Sequence, residues 1–122
     1  MRNFHPNKKF ILFFSVLLFA FSQSAFNQNS SKQQLLIKEA QQIYTSKPNE
    51  ALKIATLLLN NNATIEEQSE INFLIAEIYK QIGDYPNFVH HLFQASKNNN
   101  DISPFLSAKI NNEKAVFLAN NF

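Results

Sequence analysis

Cysteine is absent from the 122-residue chain. That excludes a disulfide framework, thiol catalysis and any metal site built on thiolates. Tryptophan is absent too, and Gly83 is the single glycine. One glycine cannot supply a phosphate-cradling loop. It also leaves few places for the positive-φ turns of β-hairpins. Sustained period-two alternation is missing, so no sheet is expected. A surplus of positive charge is missing as well, despite a formal net charge of +2. Arg2, Lys8 and Lys9 all lie in an N-terminal stretch with no acid, and beyond it eight cations face nine acids. No basic stripe is left for nucleic acid, and no polybasic segment for anionic lipid. Nothing in the chain calls for a cofactor.

What is present begins with a three-part leader. Met1 to Lys9 is polar and cationic, Phe10 to Phe21 is almost wholly apolar, and Ser22-Gln23-Ser24-Ala25 offers small residues at alternating positions. This is the order of a secretory signal. It predicts a signal peptide over residues 1–24, cleavage after Ser24, a polar linker over 25–31 and a folded domain over 32–122. The product would be exported, periplasmic or secreted. The alternative is an uncleaved N-terminal anchor, although the apolar run is shorter than the roughly 20 residues a spanning helix needs. Membrane contact is expected only in that case. The absence of cysteine near the cleavage point excludes a bacterial lipoprotein.

Five helices follow from spacing and punctuation. Leu36, Ala40, Ile43 and Tyr44 form one apolar stripe between about Lys32 and Thr45. Pro48 opens a second helix that runs to Leu59, with the small residues Ala51 and Ala55 on one face. Asn60-Asn61-Asn62 stops it. Thr64-Ile65-Glu66-Glu67 is a capping box for a third helix ending at Ile82. Its expected buried side is Ile71, Leu74, Ile75, Ile78, Tyr79 and Ile82. Gly83 is the expected C-cap. A fourth helix runs from Pro86 to about Lys97, with Val89, Leu92, Phe93 and Ser96 at helical spacing. Ser103-Pro104 opens a fifth, with Leu106, Ile110, Phe117 and Leu118 on its apolar side. Short connections imply antiparallel neighbours.

The third and fourth helices resemble one tetratricopeptide (TPR) repeat, a helix-turn-helix unit of about 34 residues. The resemblance spans Ser69 to Ile102. Ala76 falls on the family's small position, Tyr79 on its aromatic position, and Gly83 on the turn. Tyr85 takes the aromatic place after the turn, and Ala95 the late small position. Asn72, Phe88 and Asn100 depart from the pattern. A large ring at Phe88 should push the two helices apart locally or point elsewhere. The first two helices resemble a degenerate unit, and the fifth would begin a third. The resemblance implies an all-α fold of helical hairpins stacked as a right-handed, incomplete array.

No constellation suits catalysis. His90 and His91 are adjacent on a helix and point about 100° apart, so they cannot share one metal as an i, i+4 pair could. Glu66, Glu67 and Glu70 compensate a helix start. The resemblance instead implies an exported, non-catalytic protein–protein interaction module. In such folds the first helix of each unit lines a concave face. Here that places Glu70, Phe73, Glu77, Lys80 and Gln81 towards a protein or peptide partner. Phe73 is either a binding anchor or part of the core. Two further expectations attach to the fifth helix, the last of the five. One is self-association through residues 104–120. The other is that the chain is the extracytoplasmic sensory front of a longer bacterial signalling or transcriptional regulator.

Overall fold

The computed structural model describes residues 32–61 and 63–122. The expected signal peptide, its cleavage site after Ser24 and the linker lie outside the described residues. Among the described residues there are five α-helices and no strand. They are α1 over residues 32–43, α2 Pro48–Leu59, α3 Ile65–Ile82, α4 Tyr85–Ser96 and α5 Pro104–Asn121. A 3-10 turn, Asn99–Asp101, links α4 to α5. Leu35–Phe122 forms one compact unit, which α1 enters at Leu35. None of the described helices is long and apolar enough to cross a membrane.

The helix boundaries follow from local chemistry. Thr64 accepts a hydrogen bond from the Glu67 backbone at 3.1 Å, and Glu67 accepts one from the Thr64 backbone at 3.2 Å. Both donors would otherwise be orphaned at the start of α3. At its other end Gly83 turns left-handed, with φ 90°. The Asp84 N–H then reaches the Tyr79 carbonyl at 2.9 Å and the Gly83 N–H reaches Lys80 at 3.2 Å. This is the Schellman arrangement, which satisfies the last carbonyls of a helix. Asp84 caps α4 immediately afterwards by accepting from the Asn87 backbone at 3.3 Å. Ser103 does the same for α5 through Leu106. Two helices therefore meet with almost no loop between them.

Burial divides into two cores. The first joins α1, α2 and α3 through Ile37, Ala40, Ala51, Ala55, Leu58, Ile71, Leu74, Ile75 and Ile78. Ala51 and Ala55 are fully buried. Their small side chains allow the close helix approach that their spacing suggested. The second core joins α3, α4 and α5 around Ala76, Phe88, Leu92, Ala95, Leu106 and Ile110. Lys80 lies over the Phe88 ring near the turn, and Asn72 meets His91 farther along. This pairing runs α4 back antiparallel to α3.

Several single positions depart from expectation. Ile37, outside the expected stripe, is buried with Ala40, whereas Leu36 is only half-buried. Ile82, Phe93 and Leu118 are exposed. Lys114 of α5 lies 4.9 Å from the centre of the Phe93 ring without burying it, so periodicity alone could not place these residues inside. The α1 helix stops at residue 43, and Tyr44 lies in the turn that follows.

Phe88 takes the second of the two courses expected of it and points elsewhere, to α5. Its ring is only 2% exposed and meets the Phe117 ring of α5 edge-on, with centroids 5.9 Å apart. Ala76 and Ala95 in the same cluster leave room for it. The ring therefore does not force α3 and α4 apart, and it fastens α5 to the hairpin.

Phe88→Ala should destabilise the fold by about 3–5 kcal/mol through the cavity it leaves. Gly83→Ala should cost only about 1–2 kcal/mol, because the left-handed φ is its sole difficulty; an added Cβ meets nothing within 4 Å. Urea denaturation of the three proteins checks the ranking.

Candidate functional site

One face of α3 is only half-buried. Glu70, Phe73 and Glu77 recur at three- and four-residue spacing, so they form a stripe along the helix. That stripe floors a groove of about 700 Å³. Gln41 and Tyr44 close one side, and Phe105, Lys109 and Glu113 of α5 close the other. The walls thus come from α1, α3 and α5, with no lining residue from α2 or α4.

Polar contacts set the wall spacing. Gln41 donates to Glu70 at 3.3 Å across α1 and α3. Lys80 pairs with Glu113 across α3 and α5, and the Glu113 side chain is 15% exposed. The bond to Glu113 is the first cause of a raised Lys80 pKa. Lys109 is placed differently. Its ammonium lies 5.6 Å from the centre of the Phe73 ring and 5.5 Å from that of Phe105. Both are within cation–π range.

Glu77 is the most constrained acid of the groove. Its Oε1 is buried and has no hydrogen-bond partner among the described residues. Burial pushes its carboxyl above the ordinary value, and Glu113 adds to the push; Lys80 and Lys109 oppose it. Removing a carboxylate from water without a paired cation favours its protonated form.

Of the five residues expected on the concave face, Glu70, Phe73 and Glu77 line this groove. Lys80 sits at its edge through Glu113. Gln81 is exposed and does not line it. Phe73 packs against the second core, as one of its two expectations had it, and also lines the groove. Sequence reasoning missed Phe105, Lys109 and Glu113. Their i, i+4, i+8 spacing was visible, but only α5 packing beside α3 gives it a meaning.

The repeat-defining positions have their own surroundings. Ala76 and Ala95 are fully buried. Tyr79 stacks on His91 with ring centroids 5.6 Å apart, and exposed Tyr85 meets Phe88 edge-on. Asn72 donates to the Gln68 carbonyl at 3.0 Å, so its oxygen is the atom facing His91 Nδ1 at 2.9 Å. His91 is therefore protonated on Nδ1 and donates to Asn72. Burial, and then neighbouring His90, lowers its pKa.

No family model, curated protein or solved structure matches this chain. The groove is therefore the feature from which a function has to be read.

Two opposite pH effects follow. The folded chain holds the Glu77 proton more tightly than the unfolded chain does. Stability from this group therefore rises as pH falls through its raised value, and is complete below its ordinary value. His91 acts the other way: stability is lost as pH falls below its ordinary value, because the unfolded chain takes that proton first. Glu77→Gln should therefore raise stability at pH 7, and the gain should shrink towards pH 4.5. Urea denaturation across that range is the measurement. A loss of stability at pH 7 would contradict the assignment.

Proposed function

We propose that this protein is an exported, non-catalytic interaction module of TPR type that holds an extended segment of a partner protein in the α1/α3/α5 groove. The alternation of the groove walls carries the reading. In stacked helical hairpins, first helices line one face and second helices back them. Here α1, α3 and α5 wall the groove, and α2 and α4 stay off it. Sequence separation supports the same repeat. Gln41 meets Glu70 across 29 positions, and Lys80 meets Glu113 across 33. Both values fall short of the roughly 34 residues of the repeat, by five and by one. Export rests on the leader sequence, Met1 to Ala25.

A second reading applies to α5. Val116, Leu118 and Phe122 are exposed on its C-terminal half. Such a face favours self-association through residues 104–120. The two readings are compatible, because these residues do not line the groove.

Site-specific photocrosslinking in cells separates groove from surface. A benzophenone amino acid at Phe105 should give discrete protein adducts, and one at Leu57 on α2 should give few. Equal labelling from both positions, or none from Phe105, would overturn the reading. Mass spectrometry of the same fractions should find the N-terminus at Ala25. Sedimentation velocity tests the second reading: Val116→Lys with Leu118→Lys should abolish any concentration-dependent dimer.

A further inference from the structure

The groove carries a charge imbalance that its own walls leave uncorrected. Glu66, Glu70, Glu77 and Glu113 line it against a single lysine, Lys109. Glu113 is satisfied by Lys80 from outside the lining. Among the described residues the ion pairs are Lys80–Glu113 and Lys47–Glu50, so Glu66, Glu70 and Glu77 have none. Glu66 serves the first turn of α3, and Glu70 accepts the amide of Gln41, an uncharged donor. Glu77 keeps a buried oxygen with no hydrogen-bond partner. A cation in the groove would supply what all three lack.

The groove also shows how it accommodates an alkylammonium. Lys109 already lies between the Phe73 and Phe105 rings. A lysine or arginine brings the same combination of aliphatic stem and cationic head. Phe105 is 76% exposed at the rim, which leaves ring surface beyond Lys109 for such a stem. Length points to a peptide. Glu66 and Glu77 are separated by about 16 Å along α3, the reach of about five residues of extended chain.

We propose that the groove binds an extended basic peptide segment of the partner, with a lysine or arginine head between Glu70 and Glu77 and apolar stems on Phe73 and Phe105. This rests on the interaction-module reading and names the chemistry of its partner. The raised carboxyl of Glu77 agrees with it, since a bound cation would restore the charged form. Glu113, Lys80 and Lys109 are the other charged groups near Glu77.

The test uses the whole purified chain and fluorescein-labelled Lys-Leu-Lys-Leu-Lys, followed by anisotropy. Glu-Leu-Glu-Leu-Glu and spermidine serve as comparisons. The basic peptide should bind saturably and more weakly as salt rises. It should bind at least tenfold more tightly than the acidic peptide or spermidine. Glu70→Gln with Glu77→Gln should weaken it at least tenfold, and Glu39→Gln on α1 should not. Thermal melts confirm that the variants remain folded. Equal binding of both peptides, equal binding of spermidine, or unchanged binding by the double variant would overturn the inference. Phe105 crosslinks that persist beside a failed basic peptide would reject the charge chemistry and leave the interaction module standing. Loss of both would reject the two together.

Discussion

The fold depends on α3 being shared. Ile71, Leu74, Ile75 and Ile78 commit it to the core with α1 and α2, and Ala76 commits it to the core with α4 and α5. Tyr79 packs against both. A helix buried on two sides cannot tilt without opening one core or the other. Its half-buried face carries Glu70, Phe73 and Glu77, so the floor of the groove belongs to a helix that both cores hold. The small residue at Ala76 is the condition for this, because it admits the Phe88 ring beside it. Phe88 in turn meets Phe117 and so positions α5, which supplies the far wall.

The charges show a balance between structure and use. Lys80 and Glu113 join two helices and neutralise each other at the groove edge. Lys109 is drawn to aromatic faces and leaves the nearby carboxylates without direct ion pairs. Burying an acid beside another acid is unfavourable unless a proton or a cation relieves it. Glu77 is held in that condition by the packing of α5. At neutral pH such a group opposes folding, and a proton relieves it.

Much of this was legible in the chain. The capping box at Thr64, the left-handed turn at Gly83 and the Ser103 cap are local, and local chemistry placed α2, α3 and α5 to within a residue or two. The Ala51–Ala55 pair also behaved as its spacing implied. Contacts between elements were harder to read. Phe88 looked obstructive because its partner Phe117 is 29 positions away. Ile82, Phe93 and Leu118 matched the helical period yet stay exposed. The α3 half of the groove was visible as a polar stripe around Phe73. Its α5 half was not, since Phe105, Lys109 and Glu113 become a wall only through packing beyond the reach of periodicity.

The central claim is that α3 lies between α1 and α5, with one groove formed across the three. Nuclear Overhauser spectroscopy on the labelled chain tests it most directly. The account requires cross-peaks from the Phe73 ring to the Lys109 methylenes, from Phe88 to Phe117, and from the Gln41 side chain to Glu70. Finding α5 helical but without cross-peaks to α3 or α4 would contradict it.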